Sequence, residues 1–148
     1  MQYFKCEEKQ DYDICSYCGW ENEETFDEGG ANVLSLAEYR KRYQIYLFLD
    51  PEYIWKKHGT PELTKKELCQ YWHTYSYSNK QDILSSNKCG CFFCNKIFDS
   101  KLISEPYIND IGGETAICPF CGVDSVLPDS KIELSEELLE DMYHVWFT

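Results

Sequence analysis

The sequence predicts a small α+β fold, built from zinc-ribbon or knuckle modules with short β-hairpins and helices packed around them. Three observations carry that expectation. Two C-x-x-C pairs, Cys91/Cys94 and Cys118/Cys121, are separated by 23 residues. That spacing lets two tight turns face each other and offer four thiolates to one Zn²⁺. A third pair, Cys15/Cys18, repeats the Ile-Cys-x-x-Cys-Gly pattern found at Ile117 to Gly122. Between these pairs lie helix-capping residues followed by apolar positions at helical spacing. Two modules are expected: residues 1–80, a knuckle followed by helices, and residues 81–148, a four-cysteine ribbon with a C-terminal helix.

Taken in order, Met1 to Glu28 is polar and acidic and holds Cys6 as well as the Cys15/Cys18 pair. Asp27 to Asn32 reads as a turn. Ser35 and Glu38 form a capping-box pattern that opens a helix from about Leu36 to Phe48, with Leu36, Tyr39, Tyr43, Tyr46 and Leu47 near one face. Asp50-Pro51 is expected to cap a short helix that starts at Pro51 and stops at Gly59. Thr64 and Glu67 make a second box, leading a helix through Leu68, Tyr71, Trp72 and Tyr75. Ser78 to Gln81 caps one more short helix before the Cys89 region. Ser100 to Ile103 reads as a helical turn broken by Pro106, and Glu114 to Ile117 as a strand entering Cys118. Ser135 caps a last helix to about Phe147, with Leu134 and Leu139 spaced for a hydrophobic staple.

Composition limits the function classes. The 148 residues carry a net charge of −12 and are 43% hydrophobic and 16% aromatic, so the chain is expected to bury a core and not to be disordered. Both halves are acidic, which sets like-charge repulsion against any broad contact with a phosphate backbone. A macromolecular partner with a basic surface is the easier match. Arg40-Lys41-Arg42 is the basic cluster, with Lys56-Lys57 and Lys65-Lys66 as pairs; solvated helix faces explain them as well as a nucleic-acid patch does. Met1 to Gln10 has no apolar signal core and no run is long enough to span a membrane. Nine cysteines without an export signal point to a reducing cytoplasm, where C-x-x-C pairs serve metal more often than disulfides.

The metal candidates follow from the cysteines. Cys91, Cys94, Cys118 and Cys121 offer a closed site of four thiolates, which leaves no open position for water and so no Lewis-acid chemistry. Cys89 is the spare thiol, with the two-residue gap favouring Cys91 as the ligand. A second site would use Cys15 and Cys18 with Cys6 and a fourth donor, for which Cys69, His58 and His73 remain by elimination. The expectation is therefore one Zn²⁺, and two if the N-terminal set is completed. Cys118-Pro119-Phe120-Cys121 also has the form of a redox dithiol, but a glycine follows it and no βαβ pattern surrounds it. A deaminase would need H-x-E or C-x-E well upstream of P-C-x-x-C. Cys6-Glu7-Glu8 satisfies only the first part, and none of His58, His73 and His144 opens such a triplet. No phosphate loop, nucleophile elbow or carboxylate pair is evident, so no catalytic residues are assigned.

Two resemblances add to this. Residues from Asp13 to about Arg40 resemble the bacterial cysteine-rich CPCC family, through Ile14-Cys15-Ser16-Tyr17-Cys18-Gly19-Trp20-Glu21, then Gly29-Gly30-Ala31-Asn32, then Ser35-Leu36. The family's Cys-Pro-Cys-Cys knuckle is missing, and Cys6 alone stands near its place. Residues from Ile83 to Phe147 are similar to a set of small bacterial cytoplasmic proteins, through Lys88 to Cys94, Thr115 to Val126 and the terminal Trp146-Phe147. The resemblance implies zinc and a bacterial cytoplasm and brings no activity with it. The resulting expectation is a non-enzymatic zinc protein that acts by binding another protein, in the manner of an immunity or inhibitor protein covering a basic partner. The rival expectations are a nucleic-acid-binding zinc ribbon and, less in keeping with the pattern, a thiol redox protein.

Overall fold

A computed structural model describes residues 14–21, 34–104, 107–110 and 112–148. The fold is α+β, with the chain dividing into two compact units, Met1–Leu63 and Thr64–Thr148. The boundary expected near residue 80 therefore falls inside the second unit. Cys6, the turn at Asp27 to Asn32 and the break at Pro106 lie outside the described residues.

In the first unit, helix α1 (Leu36–Leu49) begins where expected. Ser35 Oγ accepts the Glu38 N–H at 3.3 Å, satisfying one of the donors that a helix start leaves orphaned. The helix ends at Asp50, whose extended backbone is what a following proline imposes. Pro51 does not start the next helix. Asp50 instead closes a tight turn, accepting the Glu52 N–H on its carboxylate and the Tyr53 N–H on its carbonyl. The chain then runs extended at Ile54 before helix α2 (Trp55–His58). Gly59 stops α2 with φ +69°, as its place in the sequence predicts. The core of this unit is a tyrosine cluster of Tyr43, Tyr46 and Tyr53, with Cys18, Leu47, Trp55 and Leu63 packed on it. Burial pushes the Tyr53 phenol up to about 12, so its hydroxyl remains a donor to the Gly59 carbonyl at 2.6 Å.

The second unit opens with helix α3 (Lys65–His73). The capping box is complete: Thr64 Oγ1 accepts the Glu67 N–H at 3.2 Å, and Glu67 Oε2 accepts the Thr64 N–H at 2.8 Å. Thr64→Ala should cost about 1 kcal/mol and lower the thermal midpoint by roughly 5 °C. A melting curve superimposable on that of the parent chain would contradict the cap's contribution. Helix α4 (Lys80–Leu84) follows a bend. Strands β1 (Lys88–Cys91) and β2 (Lys96–Asp99) form a hairpin, and a 3-10 turn follows at Ser100–Leu102. Strands β3 (Tyr107–Asp110) and β4 (Gly113–Ala116) make a second hairpin, and β5 (Val126–Pro128) returns to the first sheet. The order there is β2-β1-β5, all antiparallel, with Cys91 opposite both Lys96 and Val126.

Helix α5 (Glu136–Phe147) closes the unit, capped by Ser135 Oγ on the Leu138 N–H at 3.1 Å. It buries Leu138, Leu139 and Met142 against Phe92, Leu127, Ile132 and Cys69. Gly90 permits this approach. A Cβ there would lie 3.0 Å from Leu139 and 3.1 Å from Leu134, tighter than a packed core tolerates without displacement. Cys69, Trp72 and Tyr75 of the α3 segment pack in the same core, which is why that segment belongs to the second unit.

Candidate metal centre

The turn of the β1–β2 hairpin and the connection from β4 to β5 carry the C-terminal cysteines. Cys91 ends β1, and the chain turns through Phe92, Phe93 and Cys94 before β2 begins at Lys96. The turn requires a left-handed residue after its second cysteine, and Asn95 takes that role at φ +54°, a conformation asparagine adopts more readily than most residues. In the opposite turn β4 leads into Cys118, and Gly122 holds the equivalent place at φ +75°. Two backbone bonds close it: Cys118 N–H to the Val123 carbonyl and Gly122 N–H to the Cys118 carbonyl, each 2.9 Å.

The four sulfurs meet in one cluster, all within 4.8 Å of one another. Cys91 Sγ lies 3.7 Å from Cys121 Sγ, and Cys94 Sγ lies 3.8 Å from Cys118 Sγ. Each short pair joins one turn to the other. A disulfide would require about 2.05 Å. A tetrahedron of Zn–S bonds of about 2.3 Å requires S···S edges of about 3.8 Å. The donor set therefore fits a tetrahedral metal ion, and this group of cysteines can hold one.

Electrostatics inside the cluster divide the thiols. Burial pushes the Cys91 thiol well up, against the pull of the Cys94 and Phe93 N–H groups. Burial also raises Cys94. At Cys121 burial acts in the same direction but is outweighed by the Val123 N–H and by hydrogen bonds from Cys118, Cys91 and Cys94, so this thiol ionises below its ordinary range. N–H groups aimed at sulfur favour the thiolate, the form a metal takes.

Asn79 holds the two turns in register. Its side chain is 1% exposed. Its Oδ1 accepts the Ala116 N–H at 2.9 Å, two residues before Cys118, and its Nδ2 donates to the Val126 carbonyl at 2.9 Å, opposite Cys91. A third bond, from Nδ2 to the Tyr75 carbonyl at 3.1 Å, ties both to the helical segment. The sequence placed Asn79 only within a helix cap, and no side-chain cap bond forms there.

The remaining candidates lie elsewhere. Cys89 is fully buried in the β1 core outside the tetrad, and burial pushes its thiol up to about 12. Cys69 is buried in the α3–α5 core. His73 stacks on Trp146 at 3.9 Å between ring centroids, and His58 Nδ1 accepts the Ile54 N–H at 3.1 Å. His144 is exposed near Glu140. Cys69, His73 and His58 are each engaged in these contacts. Cys118-Pro119-Phe120-Cys121 leads into a turn and extended chain, so no helix N-terminus activates it as a redox dithiol. Cys15 and Cys18 sit on a turn of the first unit, and the tetrad is the one candidate cluster among the described residues. No helix of the described residues is long and apolar enough to cross a membrane. Comparison with protein-family models, curated proteins and solved structures finds no match to this chain.

Proposed function

We propose that this chain is a non-enzymatic, bacterial cytoplasmic zinc-binding protein that acts by binding another protein, with a basic surface on the partner. The observation that carries the metal half of this reading is the pair of inter-turn S···S separations, 3.7 and 3.8 Å. They match a tetrahedral ion held by four thiolates, and Zn²⁺ is the usual occupant of such a set. Four thiolates complete the shell, so the ion is structural and activates no water.

The binding half rests on the surface beside the first turn. Trp146, Phe147, Phe93 and Tyr77 are exposed there. Phe93 meets Phe147 edge-on at 5.0 Å, and Trp146 stacks on His73. Large aromatics that stay exposed yet mutually ordered suit interface anchors. The helix that carries two of them also bears Glu136, Glu137, Glu140 and Asp141 and no lysine or arginine, which complements a cationic partner. An immunity- or inhibitor-type role toward a basic protein fits this pairing. The rival reading, a nucleic-acid-binding ribbon, would use the exposed Arg40, Lys41 and Arg42 of α1, against a chain charge of −12.

Affinity purification with the zinc-loaded chain and with Trp146→Ala/Phe147→Ala tests the reading. The parent chain should retain proteins of high pI that the variant releases, with retention insensitive to nuclease. Retention that nuclease abolishes, or that the variant keeps, would favour the rival or remove the surface from the argument.

A further inference from the structure

The Cys15/Cys18 turn reproduces the metal-binding turn of the other unit bond for bond. Cys15 N–H donates to the Trp20 carbonyl at 2.7 Å and Gly19 N–H to the Cys15 carbonyl at 2.8 Å. The same two offsets close the Cys118/Cys121 turn at 2.9 Å each. Gly19 and Gly122 share the left-handed conformation, at φ +78° and φ +75°. Here the turn is also built in. The Trp55 N–H donates to the Tyr17 carbonyl and the Lys56 N–H to the Ser16 carbonyl, at 3.0 and 2.9 Å, so α2 clamps its back. A Cβ at position 19 would lie 2.6 Å from the Trp55 indole, and glycine is required on both counts. Cys15 is buried, and Cys18 packs on the tyrosine cluster.

The geometry points to a second metal site in the first unit, with Cys15 and Cys18 as two thiolate ligands. A turn of this kind fixes both sulfurs of a C-x-x-C pair toward one point before any ion arrives. The ion class is the same borderline-soft divalent cation, Zn²⁺ by availability. The inference shares with the proposed function the premise that these turns bind metal, and the following experiment separates the two.

Elemental analysis would be made on the full chain reconstituted with Zn²⁺ and desalted, and on Cys15→Ser/Cys18→Ser and Cys118→Ser/Cys121→Ser. The expected contents are two ions for the parent and one for each double variant. One ion in the parent, lost only with Cys118→Ser/Cys121→Ser, overturns this inference and leaves the four-cysteine centre standing. One ion lost only with Cys15→Ser/Cys18→Ser does the reverse, and no ion in the parent overturns both. Because a serine variant can lose its fold, Co²⁺ titration of the parent chain provides a second measurement. Thiolate-to-cobalt absorption should rise through two equivalents, and saturation at one with no effect of Cys15→Ser/Cys18→Ser would refute the second site.

Discussion

Cys118→Ser is expected to release the metal and unfold the second unit. A structural Zn²⁺ in a thiolate site contributes an apparent binding free energy of about 10–16 kcal/mol near neutral pH. Small domains are stable by only about 5–15 kcal/mol, so losing the ion is enough to remove the net stability of the unit. Cys118 is 1% exposed and lies two residues beyond β4; serine there supplies a poor ligand and leaves the other three sulfurs to a defective site. Chelation should have the same effect reversibly. The pH dependence of the loaded chain gives a sharper check. Bound to metal, the four thiols are deprotonated in the folded state and protonated in the unfolded one below about pH 8.5. Stability then falls as the solution is made acid. Urea unfolding of the loaded chain, followed by circular dichroism, should give a midpoint that rises from pH 6 toward about 8.5, while the chelated chain should show no transition from the second unit. A midpoint that does not move with pH, or a Cys118→Ser chain that keeps its ion and its midpoint, would mean that the cluster is not a metal centre.

The features legible in the sequence were the ones encoded locally. Ser35, Thr64 and Ser135 each cap the helix that their positions announce, because a cap is decided within four residues. The tetrad was legible for the same reason, since each C-x-x-C turn is a local object and only their facing is tertiary. Short strands were harder. Val126, Leu127 and Pro128 are all buried, so β5 shows no alternation, and four-residue strands such as β3 offer too few positions for a period to appear. The helix starting at Pro51 failed because the oxygens of Asp50 close a turn instead, a choice fixed by burying Tyr53 under α1. Helical spacing puts Trp72 and Tyr75 on one helix, but it does not show that the core they join is the one under α5. Asn95 could have been read as the counterpart of Gly19 and Gly122, since each follows the second cysteine of its pair. Asn79 had no such signal, because its three partners lie on segments brought together only by the fold.

Asn79→Leu should cost roughly 3–5 kcal/mol and weaken metal binding about 10- to 100-fold. Leucine keeps the branched outline of asparagine, with the same number of side-chain heavy atoms, but loses every hydrogen bond. It strips partners from the Ala116 N–H and from the Val126 and Tyr75 carbonyls, and a buried backbone group left unpaired costs about 1–3 kcal/mol. The metal effect follows from position. Ala116 leads into Cys118 and Val126 faces Cys91, so the amide sets the separation of the turns as an outer-shell partner sets a ligand. Asn79→Asp is the informative companion, because it keeps an acceptor for Ala116 but turns an oxygen toward the two carbonyls that Nδ2 served. It should be at least as damaging at neutral pH and should recover in part on acidification, when the carboxyl can donate again. That recovery runs against the acid loss expected of the metal centre itself, so chelator competition at two pH values separates the two causes. If Asn79→Leu binds metal as the parent does while melting lower, Asn79 braces the fold and leaves the centre alone; if neither changes, the hairpins hold their register without it.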